Sequence, residues 1–374
     1  MSKLQTLVNT LADAGMHPGR TVRDSLESAA REGFGCFPPY TPQELIHAAG
    51  YLPIGMWGGP TEFKLADRYM QSFCCSILRA NLELALQGRY SMLKGIMIPT
   101  LCDSLKCLCG NWQVAVPAIP MIGVSYPQNR AQPSGAEQLL GEFGRLRGEL
   151  EKLTGKPVTD AAIAESFAIY EEWRAAMRRF DELASTRVKT INARVRHYII
   201  KAAQFMDKAV YTARITALSN ELAAIPEEKS GARAIFAGIM AEPGGLLDIL
   251  IENDLAIVGD DLAQESRQFR TLARKEGSVL EKMAGLFLDL KGCSLLYEPD
   301  KSRGRMLAAL AGERKADVVV FCMMKFCDPE EYDYPICRQD LETAGVKHLY
   351  IEIEQQMKSF EQIRTRIQSF METL

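Results

Sequence analysis

Between Gly135 and Leu222 the chain alternates charged and apolar residues at a spacing of three to four, with Pro157 as the only proline. Apolar residues at that interval gather on one face of an α-helix. Strand side chains alternate with period two, so a strand would scatter them over both faces. The stretch therefore predicts several helices, closing at the polar linker Pro226-Glu227-Glu228-Lys229-Ser230-Gly231. It also divides the rest of the chain into two flanking parts of different character.

Residues 1–34 read as polar helix and lead-in. Thr41-Pro42-Gln43-Glu44 predicts a helix start, with Thr41 as N-cap, Pro42 at the first helical position and Glu44 completing a capping box; Gly50 ends that helix. Leu65–Leu86 carries apolar residues at helical spacing up to Gly88 and predicts one long helix. Gly95–Pro99 and Met121–Val124 are short apolar runs of the buried parallel-strand type. After the linker, strands are predicted at Ala234–Ile239, Leu255–Val258, Val318–Phe321 and Leu349–Ile353, with helices at Gly245–Glu252, from Pro329, and at the C-terminus. This rhythm predicts an α/β protein with two doubly wound parallel-sheet domains and a helical segment between them. The boundaries are 1–135, 136–228 and 229–374. No Walker A sequence and no GxGxxG after a strand is present, so a standard nucleotide loop is not supported.

Charge narrows the partners. The 374 residues include 44 Lys and Arg against 47 Asp and Glu, a formal net charge of −3. That balance argues against nucleic acid or an anionic membrane held by bulk charge. No apolar run approaches the ~20 residues of a membrane span. The opening Met-Ser-Lys-Leu-Gln-Thr-Leu lacks the features of a signal peptide. A cytoplasmic protein is expected.

The ten cysteines stand out against only four histidines. In a reducing compartment they are not expected to form disulfides, and thiolate with little imidazole favours an iron–sulfur or zinc site. Most cysteines in such a chain serve as small buried hydrophobes. Two occupy matching positions. Cys102-Asp103 follows the strand Ile96–Ile98, and Cys327-Asp328-Pro329-Glu330-Glu331 follows the strand Val318–Phe321. Asp103 and Asp328 read as N-caps, with Glu331 closing a capping box. Each Cys-Asp pair then lies beyond the carboxyl end of a parallel strand, where open α/β sheets bind ligands and a helix N-terminus favours thiolate. A third thiol is sought in Ser72-Phe73-Cys74-Cys75-Ser76; neighbours on a helix diverge by about 100°, so only one of the pair reaches a given ion. Cys102, Cys107 and Cys109 match no compact ferredoxin or zinc-ribbon spacing, and Cys107 and Cys109 read as structural.

Gly35-Cys36-Phe37-Pro38-Pro39-Tyr40-Thr41-Pro42-Gln43-Glu44-Leu45-Ile46 with Ala48-Ala49-Gly50 resembles the opening motif of the 2-hydroxyacyl-CoA dehydratase and benzoyl-CoA reductase family. Ile98–Asp103 and Met324–Pro335 resemble its two cluster-ligand motifs, and Val258-Gly259-Asp260-Asp261-Leu262 with Arg267 another of its signatures. Within the family the chain is most similar to the smaller, β-type subunits of the 2-hydroxyisocaproyl-CoA and phenyllactyl-CoA dehydratase group. The resemblance implies one [4Fe–4S] cluster held by Cys75, Cys102 and Cys327, with Cys75 preferred over Cys74 because Ser76-Ile77-Leu78 follows it. It also implies an anaerobic, amino-acid-fermenting setting and a heterodimer with a homologous α-type subunit that binds the acyl-CoA. A separate ATP-dependent iron–sulfur activator would inject one electron. The thioester carbonyl would then become a ketyl radical, the 2-hydroxyl and a 3-proton would leave, and the electron would be recycled. No catalytic residue is assigned to this chain.

The α-type subunits carry a Pro-Glu-Asn element where this chain reads Leu52-Pro53-Ile54-Gly55-Met56-Trp57-Gly58-Gly59, so substrate is expected mainly on the partner. Met56, Trp57, Phe63 and Tyr69 are expected to form the subunit interface. The alternatives are a benzoyl-CoA reductase-like subunit and a stand-alone electron-transfer protein.

Overall fold

The computed structural model describes residues 2–374. It begins with α1 (Lys3–Met16) and α2 (Pro18–Ala29), followed by β1 (Gly33–Cys36), α3 (Gln43–Ala48), β2 (Leu52–Gly55), α4 (Ser76–Leu86), β3 (Leu93–Pro99), α5 (Asp103–Ala115) and β4 (Met121–Val124). The four strands form one parallel sheet in the order β2-β1-β3-β4.

Several local expectations change here. β1 and β2 were not predicted as strands. The helix expected over Leu65–Leu86 is a short 3-10 turn at Ala66–Arg68 and then α4, which starts only at Ser76. The buried Glu83 carboxylate of α4 explains the break: it accepts the N–H groups of Lys64 (3.0 Å), Leu65 (2.8 Å) and Ala66 (2.8 Å), which a continuous helix would bond elsewhere. The capping box at Thr41 is also absent. The Thr41 hydroxyl donates to the Phe37 carbonyl at 2.7 Å, and Glu44 turns inward to accept two bonds from Arg174 at 2.7 Å.

The helical region follows as α6 (Pro133–Thr154), α7 (Asp160–Ala184), α8 (Ala193–Ala202) and α9 (Lys208–Ala223). Thr159, Asn192 and Asp207 cap three of them by accepting first-turn N–H groups. α1 joins this layer, burying Val8 and Leu11 with Tyr170, Met177, Ile199 and Ile215.

The last part is β5 (Ala232–Gly238), α10 (Gly244–Glu252), β6 (Leu255–Leu262), α11 (Val279–Leu288), α12 (Arg303–Glu313), β7 (Val318–Met324), α13 (Asp328–Thr343), β8 (His348–Ile353) and α14 (Glu361–Met371). Its sheet is again all parallel, in the order β6-β5-β7-β8. The two sheets therefore share one topology, second-first-third-fourth. Helices cover both faces of the second sheet, with Phe236, Val320 and Ile351 on one side and Val258, Val319 and Phe321 on the other. Among the described residues, no helix is long and apolar enough to cross a membrane.

The expected interface residues Met56 and Trp57 are buried within the chain itself, at 1% and 4% exposure. Met56 packs in the first half with Ile96 and Leu78, and Trp57 packs in the second with Met240 and Leu247. The Trp57 carbonyl also accepts the Gln355 side-chain amide at 2.6 Å, so this pair joins the two halves of one chain. Phe63 and Tyr69 are half-buried, and Phe63 lies under the Arg79 guanidinium at 4.2 Å.

Candidate functional site

In each sheet the chain order reverses between the first and third strands, β1 and β3 in one half, β5 and β7 in the other. Loops leaving neighbouring strands diverge at such a point and open a crevice at their carboxyl ends. Here one crevice takes residues from both reversals. Pro38 and Pro39 come from the loop after β1, Cys102 after β3, Ile239 after β5, and Met324 and Cys327 from the end of β7 and its loop. Cys75, Ile77, Leu78, Leu105 and Leu295 complete the walls around about 410 Å³ of empty space, counted to its open mouth.

Cys75, Cys102 and Cys327 thus meet at one place. Each is also the residue immediately before a helix: Cys75 before α4, Cys102 before α5 and Cys327 before α13. Asp103 and Asp328, expected as N-caps, are instead the first residues of their helices, because the cysteines take the capping positions. Glu331 closes no capping box, and Asp328 and Glu331 face solvent.

Burial pushes the Cys75 thiol up to about 12, with Cys102 adding to the rise and the N–H groups of Leu78 and Ile77 opposing it. Cys102 is raised by burial against the N–H groups of Leu105 and Ser104. Cys327 is held well above the usual thiol range by burial, then by Glu330, and by both Cys75 and Cys102. Burial thus works against ionisation of all three thiols, while each sits at a helix N-terminus whose dipole favours a thiolate.

The other cysteines lie elsewhere. Cys74 is buried among Leu78, Leu105 and Trp112, outside the crevice. Cys107 is exposed and Cys109 half-buried along α5. Cys36, Cys322 and Cys337 are buried. Cys293 is buried and accepts the Tyr40 hydroxyl at 2.9 Å and an Arg267 N–H at 3.6 Å. Among the described residues, no three His, Cys, Asp or Glu side chains converge as the ligands of a single metal ion would.

Behind Cys327 lies a charged network that joins Asp261, Arg267, Glu330 and Asp333, all within the sequence motifs, to Arg270 and Arg303, which lie outside them. Arg267 grips Asp261 with two bonds, at 3.0 and 2.9 Å, and also reaches Glu330 at 3.2 Å. Arg303 contacts Asp261 at 2.7 Å, Glu330 at 2.8 Å and Asp333 at 3.0 Å. Arg270 reaches Asp261 at 2.6 Å, and the Ser294 hydroxyl donates to Glu330 at 2.7 Å. Glu330 was visible only as one of two adjacent glutamates; nothing local marks which one turns inward. Tyr40, next to the prolines of the crevice, lines a second cavity with Glu44, Tyr126, Trp173, Arg174 and Arg267.

The family model described as 2-hydroxyglutaryl-CoA dehydratase, D-component, matches residues 38–374. The chain is 44% identical over 375 residues to the (R)-phenyllactyl-CoA dehydratase beta subunit of Clostridium sporogenes, covering all of both chains. It is 41% identical over 378 residues to the lactoyl-CoA dehydratase subunit beta of Anaerotignum propionicum, again covering all of both. It is 34% identical over 363 residues to the (R)-2-hydroxyglutaryl-CoA dehydratase subunit beta of Acidaminococcus fermentans, covering 95% of this chain and 96% of that one.

Proposed function

Since the chain belongs to the 2-hydroxyglutaryl-CoA dehydratase, D-component, family, we propose that it is the β-type iron–sulfur subunit of an (R)-2-hydroxyacyl-CoA dehydratase. The enzyme is a hydro-lyase that converts a 2-hydroxyacyl-CoA to the 2-enoyl-CoA and water. The observation that carries the reading is the meeting of Cys75, Cys102 and Cys327, from both halves of the chain, in one crevice.

The donor set suits a [4Fe–4S] cluster. It consists of soft sulfur on apolar walls, without the imidazole or carboxylate partners that harder ions prefer. Bound there, the cluster supplies one-electron chemistry at low potential. The protein's own part is to hold and insulate it. Cys75, Cys102 and Cys327 are the ligands. Pro38, Pro39, Ile239, Leu295 and Met324 keep water from its flanks, and the N–H groups at three helix starts stabilise its negative charge.

The acyl-CoA binds mainly on a homologous α-type partner, and an ATP-dependent iron–sulfur activator delivers the electron. On the partner the substrate's thioester carbonyl takes up that electron as a ketyl, which expels the 2-hydroxyl; the 3-proton, acidic only after that departure, is then lost to complete the water, and the electron returns. The reaction has no net redox change. All this takes place in the cytoplasm of an anaerobe.

The test is anaerobic purification with iron and sulfide analysis and identification of the co-eluting chain. About four irons and four sulfides on this chain, with an air-sensitive brown absorbance and a homologous partner, are expected. Stoichiometric zinc without sulfide would overturn the reading.

A further inference from the structure

Glu330 stands three residues after Cys327, in the first turn of α13, and is 1% exposed. A carboxylate so deeply buried is stable only with compensating charge. It has two cationic partners, Arg267 and Arg303, at 3.2 and 2.8 Å, themselves 0% and 3% exposed at the side chain. Burial works to raise the Glu330 pKa, and Arg303 and Arg267 overcome this and hold it below the usual carboxylate range. The network balances three carboxylates, Asp261, Glu330 and Asp333, against three guanidiniums, Arg267, Arg270 and Arg303.

Among these six groups Glu330 lies nearest Cys327 in sequence, in the first turn of the helix that Cys327 precedes. Its N–H donates to the Cys327 carbonyl at 3.0 Å, and its carboxylate is the leading charge felt by the Cys327 thiol. Ser294, which donates to Glu330, is followed by Leu295 in the crevice wall. Glu330 thus ties the Cys327 helix start, through its backbone, to Ser294 beside the crevice wall, through its carboxylate, and being buried with its partners its charge is little screened by water.

We propose that Glu330 is a positioning residue that sets the reduction potential of the group bound at Cys75, Cys102 and Cys327, by keeping the guanidiniums of Arg267 and Arg303 neutralised behind it. This rests on the cluster reading given above. Reduction adds negative charge to the site, so uncompensated positive charge behind Cys327 favours the reduced form. A neutralised network keeps the potential low, as a strong one-electron donor requires.

The experiment uses the full chain, purified anaerobically with its partner, and follows the electron-resonance signal that disappears in Cys327→Ser. Glu330→Gln keeps the shape and the Ser294 contact but leaves one guanidinium charge uncompensated. Its iron and sulfide should match the wild type, and the potential of that signal should shift to a more positive value. Adding Arg303→Met to Glu330→Gln restores the balance and should bring the potential back, a rescue that a purely structural role does not foresee. Arg303→Met alone should move it the other way, and this variant carries the test if Glu330→Gln does not fold. A loaded Glu330→Gln protein with the wild-type potential overturns this inference alone. Folded Glu330→Gln that holds no iron assigns Glu330 a supporting role and also overturns it. A wild-type chain without iron overturns the cluster reading and this inference with it.

Discussion

Cys74 and Cys75 are adjacent in sequence and differ in what surrounds them. Cys74 faces the core between α4 and α5, while Cys75 faces the crevice at the start of α4. Cys75→Ser should lose the bound iron, because a serine hydroxyl is not readily deprotonated and is a harder donor than iron–sulfur centres prefer. Cys74→Ser should keep full iron content and cost roughly 1–2 kcal/mol for a hydroxyl in an apolar site. Iron analysis and denaturant unfolding of the two variants separate the roles. A second residue has a pH signature. His197, 1% exposed, lies between Glu242 and Glu265, each 2.9 Å from one ring nitrogen. Burial works to lower its pKa, but the two carboxylates overcome this and raise it. A raised value in the folded state means that the protonated ring stabilises the fold fully below the unfolded histidine pKa of about 6.5. That stability is lost as pH rises through the folded value. Relative to the wild type, His197→Gln should be less stable by roughly 3 kcal/mol at pH 6, and the gap should narrow in alkaline buffer. Urea unfolding at several pH values reads this directly, and a gap that widens with pH would contradict it.

At the scale of elements, α1 and α8 approach closely at Gly15, where an added Cβ would overlap the Tyr198 carbonyl oxygen. Gly15→Ala should therefore push the helices apart and destabilise the chain by about 1–3 kcal/mol, measurable as a lower unfolding midpoint at unchanged secondary structure. Gly19→Ala, where a Cβ meets nothing, serves as the control. The elements also show where local patterning stops being informative. The helices after Gly135 and the strands β3, β4, β5, β7 and β8 follow their apolar periods closely. β1 and β2 escaped because Gly33-Phe34-Gly35-Cys36 is short and glycine-rich, and Leu52-Pro53-Ile54-Gly55 contains a proline. Pro53 is tolerated since β2 is an edge strand, which sequence alone does not reveal. β6 continues past Val258 through Asp260 and Asp261, two charges that look like the end of a strand. Arg196 and Arg267 from other segments neutralise them. For the candidate site, the repeated pattern of strand, Cys and Asp pointed to Cys102 and Cys327, and both line the one crevice. The setting of Cys75 was hidden because the break before α4 depends on Glu83 bonding backbone some twenty residues earlier, a contact that leaves no local mark.

Taken as a whole molecule, the chain is two copies of one sheet topology with a helical layer beside them, and the crevice draws thiols from both copies. A group bound to all three is a cross-link between the halves. Its removal should lower the stability of the entire chain, since binding energy for the native state alone adds to unfolding free energy. Anaerobic chelation should thus reduce the midpoint of thermal unfolding in the wild type and leave a Cys327→Ser chain unchanged. Equal midpoints for loaded and stripped wild-type protein would contradict the cross-link. The split donor set also has a consequence for biosynthesis. Cys75 and Cys102 leave the ribosome with the first sheet, whereas Cys327 follows β7, the last strand but one. A growing chain offers two of the three thiols before β7 and the loop after it have emerged. On the proposed reading, all three ligands are in place only after the second sheet has folded around β7, so a cluster added earlier would find an incomplete site.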